Sequence, residues 1–144
     1  KRQQLKKRGS NPEDYVKGNE NILYPKWEKG HYKGGIGEYD RLEQARKINR
    51  EAADASASWG MFQIMGFNYA ACGEESIESF VRSMCESEFK QLLLTANFIK
   101  KNSQMLQALQ ARDWAVFAKC YNGPAYAQNR YDVKLEAAYQ KYSL

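Results

Sequence analysis

No stretch of this chain alternates apolar and polar residues at strand spacing for more than four positions, whereas apolar residues recur every three or four positions through much of its length. A repeat near 3.6 builds the apolar stripe of an amphipathic helix, and a repeat of 2 builds one face of a strand. The pattern therefore constrains the chain to a mainly α fold. Tyr39, Leu42, Ala45, Ile48 and Ala52 form one stripe and predict a helix over 39–54. Ile77, Phe80, Val81, Met84, Glu88, Leu92, Thr95 and Ile99 form the longest, with Ser76 placed to cap it. Residues 1–8 read as the tail of a helix stopped near Gly9. Asn11-Pro12-Glu13-Asp14 then supplies a cap, a proline at the first helical position and acids in the first turn, so a short helix follows. Another short helix is expected over 103–110, with Leu106 and Leu109 inward. Asp113 caps a helix carrying Trp114, Phe117 and Ala118 into Tyr121. The last helix is expected over 125–142, with Tyr131, Leu135, Ala138 and Tyr142 on one face. Residues 18–37, broken by Gly18, Pro25, Gly30, Gly34, Gly35 and Gly37, read as a long irregular loop or a short hairpin.

Two segments do not read as ordinary core. Ser56-Ala57-Ser58-Trp59-Gly60-Met61-Phe62-Gln63-Ile64-Met65-Gly66 sets a carboxamide inside an apolar run, where an unpartnered buried Gln would cost about 1–3 kcal/mol. Tyr121-Asn122-Gly123-Pro124 is a helix stop that presents polar side chains. Together they suit a cleft for a polar, hydroxyl-rich ligand.

With 144 residues, one domain with a single sizeable core is expected. No apolar run approaches a membrane span, and no signal peptide is visible. The net charge of +5 suits nucleic acid, an anionic membrane or an anionic cell wall, and is also the mild basicity of many small domains. Lys1, Arg2, Lys6, Lys7 and Arg8 concentrate charge at the start and read best as a solvated helix face. Beyond them the cations are scattered, which argues against a nucleic-acid interface. Gly35-Ile36-Gly37 lacks the third glycine and the preceding strand of a dinucleotide fingerprint. Cys72, Cys85 and Cys120 form no CxxC, which argues against zinc, and their odd number gives no disulfide framework. His31 sits alone in a Gly/Lys loop as a surface residue.

With a single His and no GxSxG elbow, what remains is carboxylate chemistry on a polar ligand, as in glycoside hydrolysis. The acids available are Glu38, Glu51, Asp54 and Glu88. Glu51 and Asp54, three apart, are placed to share a helix face. Glu88 interrupts an apolar stripe, so it is expected to be largely buried, either as a paired structural acid or facing the cleft.

The chain resembles the N-acetylmuramidase catalytic domain of phage endolysins, a lysozyme-like family. The resemblance runs through Tyr24-Pro25-Lys26-Trp27, His31-Tyr32-Lys33-Gly34-Gly35, Glu38-Tyr39-Asp40-Arg41-Leu42, the Ser56–Gly66 segment, Asp113-Trp114 and Tyr121-Asn122-Gly123-Pro124. Gly60 and Gln63 are also similar to the Gly-Leu-Met-Gln turn of lytic transglycosylases and goose-type lysozymes, and Tyr121-Asn122-Gly123 to their Tyr-Asn-Ala-Gly turn. The resemblance implies a lysozyme-like helical domain that cleaves the β-1,4 bond between N-acetylmuramic acid and N-acetylglucosamine. It implies no cofactor and no metal. Ser58, Gln63, Tyr121, Asn122 and Tyr126 would bind the saccharide, with Gln63, Tyr121 and Asn122 lining one cleft. In this family the general acid is a Glu in a Phe-Glu-Gly-His-like block followed by a basic helix end. Lys1–Gly9 resembles that helix end, so the acid is expected just before Lys1 and the chain is expected to be an N-terminally truncated domain. Glu88 and Glu38 are the candidates within it. The implied protein is a monomer that acts on peptidoglycan glycan strands, inserts in no membrane, binds no nucleic acid, and is made in the host cytoplasm to act on the wall. The alternatives are a non-catalytic saccharide-binding module, an inactive fragment, or a lytic transglycosylase.

Overall fold

The computed structural model describes residues 1–26, 28 and 30–143. Trp27, part of one block of the resemblance, lies outside the described residues. The chain divides into two compact units, Lys1–Thr95 and Ala96–Leu144, and each is mainly helical.

The first unit opens with α1 (Arg2–Lys7), which buries Gln4 and Leu5 and leaves Lys6 and Lys7 in solvent. A 3-10 turn, Pro12–Tyr15, follows, with the Asn11 side chain accepting the Glu13 amide. Residues 18–37 take the irregular-loop form of the two expected, with no hairpin among the described residues. The segment is turns and bends, anchored by Ile22 and Leu23 in the core. His31 stacks on Tyr24 with ring centroids 4.5 Å apart.

The single helix expected over 39–54 is two: α2 (Gly37–Ile48) and α3 (Arg50–Ala55). Asn49 separates them. Its backbone is extended and its Oδ1 accepts the Ala52 amide at 2.8 Å, so it caps the second helix by interrupting the first. Leu42 and Ala45 are buried as expected, but Tyr39 is exposed. Glu51 and Asp54 do not share a partner. Glu51 is solvent-facing and pairs with Arg8, whereas Asp54 is buried and takes Arg46 Nε at 2.7 Å.

The only two strands among the described residues, β1 (Ser58–Trp59) and β2 (Ile64–Met65), make a small antiparallel hairpin inside the Ser56–Gly66 segment. A 3-10 turn, Gly66–Cys72, leads to α4 (Ile77–Glu86). Ser76 caps α4 in a reciprocal box with Ser79, and Ile77, Phe80 and Met84 are buried as the stripe predicts. The long helix then breaks. Ser87 is extended, its Oγ accepts the Lys90 amide at 3.1 Å, and α5 (Glu88–Lys101) restarts from it. The restart rotates the stripe. Leu94 and Thr95 face inward, Leu92 is half exposed, and Glu88 is exposed rather than buried. Its expected burial rested on one uninterrupted helix.

In the second unit, α6 (Ser103–Ala111) and α7 (Trp114–Asn122) are capped by Asn102 and Asp113. Met105, Ala108 and Phe117 form its buried center, flanked by Phe98, Tyr121 and Leu135. The final helix, α8 (Tyr131–Tyr142), starts later than the expected 125, because Pro124–Asn129 is a 3-10 turn and Arg130 adopts left-handed dihedrals at φ 52°. Its less exposed face carries Tyr131, Leu135 and Tyr139, while Ala138 and Tyr142 point to solvent.

Candidate active site

The hairpin joins its strands through Gly60, Met61, Phe62 and Gln63, and the chain turns there by two left-handed residues, Gly60 at φ 70° and Gln63 at φ 54°. A non-glycine residue in that region is uncommon. The Gln63 side chain supports its own turn, with Nε2 donating to the Gly60 carbonyl at 2.9 Å. The carboxamide that looked misplaced in an apolar run is therefore exposed at a bend, not buried. Gln91 on α5 grips the bend from outside. Its Oε1 accepts the Met61 amide at 2.9 Å, and its Nε2 donates to the Met84 carbonyl at 2.8 Å. The hairpin base is fixed by Trp59, whose indole N–H donates to the Asp54 carbonyl at 2.9 Å, and by Gly66, whose amide donates to the Ala57 carbonyl at 2.9 Å.

Beside the hairpin lies a cavity of about 670 Å³. The hairpin wall includes Ser56, Ser58, Trp59, Gly60, Gln63 and Met65; the facing wall includes Tyr32, Gly35, Glu38, Tyr39 and Arg41; Lys1 also contributes. Its volume is within the range of small-ligand pockets. Hydroxyls, a carboxamide and aromatic rings together suit a sugar, which offers hydroxyls at its rim and C–H faces for ring contact.

Glu38 is the one acid among the described lining residues. Its Oε1 accepts the amides of Lys33 at 2.7 Å and Gly34 at 3.1 Å, and its Oε2 accepts Arg41 Nη1 at 2.6 Å. Burial by itself pushes the carboxyl up. The Gly34 and Lys33 amides and the Arg41 guanidinium outweigh it and hold Glu38 below the usual carboxylate range. A carboxylate held this way keeps its charge at neutral pH and is unsuited to deliver a proton. Arg41 is 2% exposed; its Nη2 donates to the Asn21 carbonyl at 3.1 Å and its guanidinium lies 4.7 Å from the Tyr32 ring center.

Of the expected site residues, Ser58, Gln63 and Glu38 meet at this cavity. Glu88 is exposed and is not among its lining residues. Tyr121, Asn122 and Tyr126 belong to the second unit. There Tyr121 lies in the last turn of α7, packed on Phe98 and Phe117 with centroids 5.9 and 5.7 Å away, Asn122 ends the helix exposed, and the Tyr126 amide donates to the Gly123 carbonyl at 3.1 Å. Sequence reasoning missed Lys1, Arg41 and Gln91. Arg41 follows Asp40 in a charged stretch and carries no local signal of burial. No local pattern distinguishes Gln91 from an ordinary helix-surface amide.

A family model for N-acetylmuramidases matches residues 1–143. The crystal structure of Burkholderia AP3 phage endolysin is similar over 99% of this chain at 40% sequence identity, with a TM-score of 0.86. The chain spans 53% of that protein's length. No curated protein sequence matches the chain.

Proposed function

This chain belongs to the N-acetylmuramidase family, with a mainly α, lysozyme-like fold, and from that premise we propose that its cavity holds a peptidoglycan glycan strand for cleavage of the β-1,4 bond between N-acetylmuramic acid and N-acetylglucosamine. The observation that carries the proposal is the cavity beside the hairpin, where Ser58, Gln63 and two exposed tyrosines, Tyr32 and Tyr39, converge. Ser58 and Gln63 bind sugar hydroxyls, and the tyrosines contact ring faces. Tyr121, Asn122 and Tyr126 are assigned to saccharide binding on the family resemblance alone. The protein acts on the bacterial wall as part of a phage endolysin made in the host cytoplasm, works as a monomer, and needs no cofactor.

Glu38 fixes the loop of residues 33–34 and stays ionised, and Glu88 stands away from the cavity lining. We assign the general acid to a Glu in a Phe-Glu-Gly-His-like block ahead of Lys1, whose proton would go to the glycosidic oxygen as the leaving sugar departs. Lys1, at the start of the basic helix end that the resemblance places after that block, itself lines the cavity. Saccharide binding without turnover is the second reading for residues 1–144 themselves, favoured by the one lining carboxylate being held in its charged form.

The test digests purified sacculi with residues 1–144 and with the chain extended upstream by that block, and reads the released ends by mass spectrometry. Reducing N-acetylmuramic acid ends from the extended chain, lost on changing the upstream Glu to Gln, are expected. General acid catalysis contributes about 10²–10⁴-fold, so residues 1–144 alone should release little. Rapid release by residues 1–144 would move the acid to Glu38 or Glu88. Reducing N-acetylglucosamine ends would overturn the bond assignment, and anhydro-muramic ends would make the enzyme a transglycosylase.

A further inference from the structure

We propose that Lys1 and Arg41 form a carboxylate subsite in the hairpin cavity, so that the chain prefers acid-bearing glycan over neutral glycan. The inference rests on the cavity being a glycan site and names the charged group it selects.

Among the described residues the lining carries two cations, Lys1 and Arg41, and one anion, Glu38. Glu38 is fully engaged by two backbone amides and Arg41, so it has little left to offer Lys1. Lys1 has no ion pair among the described residues. Burial first, and then repulsion from Arg41, lower the Lys1 side-chain ammonium from its ordinary value, and the attraction of Glu38 only partly opposes them. Arg41 itself keeps an unpartnered, buried Nε. Two cations held close in a partly sequestered hollow destabilise one another, and an arriving carboxylate relieves both. A neutral sugar does not. Lys1 would give the direct contact, and Arg41 would act as a fixed charge behind it.

Peptidoglycan offers that carboxylate from two sources. A peptide-free strand has the lactyl acid of N-acetylmuramic acid. A peptide-bearing strand has an amide there and carboxylates along the stem.

The experiment measures equilibrium binding of the protein to four probes: a peptide-free glycan tetrasaccharide, its methyl ester, a disaccharide-tetrapeptide, and neutral chitotetraose. A hydrogen bond to a charged group is stronger than one to a neutral group, so at least one acid-bearing probe should bind roughly tenfold tighter than the ester. Preference for the tetrasaccharide acid places the lactyl group in the subsite; preference for the tetrapeptide alone places the stem there. Lys1→Gln and Arg41→Gln should bring the preference close to one. Because Arg41 is buried and could unfold the loop when changed, Lys1→Gln is decisive by itself. Equal binding of acids and ester, or a preference untouched by Lys1→Gln, overturns the subsite while leaving the glycan site intact. Failure of all four probes to bind overturns the glycan site and the subsite together.

Discussion

Gln91 Oε1 accepts the Met61 amide at 2.9 Å, so a helix far along the chain holds the bend of the site hairpin. The same carboxamide donates to the Met84 carbonyl near the end of α4, tying the bend to the break between two helices. Gln91→Leu removes both bonds. At about 0.5–1.5 kcal/mol each, the expected loss is about 1–3 kcal/mol. Urea unfolding checks it, and an unchanged midpoint would show that the bend supports itself.

Gly66 is required by space. A Cβ there would lie 2.2 Å from the Asp54 carbonyl oxygen and 2.9 Å from Ile77 Cδ1. The first neighbour is backbone and cannot swing away. Gly66→Ala should cost about 1–3 kcal/mol or more, as overpacking does. At Gly60 two demands coincide: φ is 70°, and a Cβ would meet Gln91 Oε1 at 2.8 Å. Gly60→Ala should release the Gln91 clamp, visible as faster amide exchange at Met61. Slow exchange retained in the variant would argue that the clamp tolerates the methyl.

Gln63→Gly separates binding from folding. Left-handed dihedrals cost a side-chain-bearing residue about 1–2 kcal/mol and glycine nothing, while glycine's freedom in the unfolded chain costs about 0.5–1 kcal/mol. The two nearly cancel, so the net loss should be about that of the Gln63–Gly60 hydrogen bond, about 0.5–1.5 kcal/mol. If Gln63 hydrogen-bonds the glycan, affinity should fall roughly three- to tenfold. Unchanged affinity would remove Gln63 from the binding residues.

Cys72 is fully buried, and burial followed by the charge of Glu74 pushes its thiol up to about 11. The thiolate is the reactive form, so Cys72 should resist iodoacetamide at pH 8 in the folded protein while exposed Cys85 is alkylated. Peptide mapping after brief labelling reads both. Early modification of Cys72 would mean the region around Gly66–Cys72 opens readily.

Helix type was legible because the apolar repeat is local, and so were the caps at Ser76 and Asp113. Asn49 and Ser87 were missed although they belong to the same class of capping residue. Each sits inside a stripe that continues past it, and only tertiary packing decides whether the helix runs through or restarts. That choice rotated everything downstream of Ser87, which is why Glu88 came out exposed. Ser58 and Gln63 could be picked as site residues because a turn with a glycine and a carboxamide announces itself. Lys1 and Arg41 could not. Arg41 is buried by the segment carrying Asn21 and Tyr32, a non-local fold-back with no periodic signature.

The pH dependence of stability decides the role of Glu38. Burial pushes its carboxyl up, but the Gly34 and Lys33 amides and Arg41 win, and the folded value lies below the unfolded one of about 4.3. A group lowered on folding contributes stability that is fully present above its unfolded value and is lost as pH falls through its folded value. Glu74 is also held low: burial raises it, but the Ser83 and Ser79 hydroxyls and the nearby Lys90 and Arg82 outweigh that. Because Glu74 is present in both proteins, subtracting Glu38→Gln from the parent isolates Glu38. The stability difference should be constant from pH 8 to about pH 5 and should shrink steadily below about pH 4.3. Urea unfolding from pH 8 to pH 3 measures it. A difference that instead shrinks on raising the pH through 5–7 would mean that the carboxyl carries a proton in the folded protein, and Glu38 would then become the acid that protonates the glycosidic oxygen.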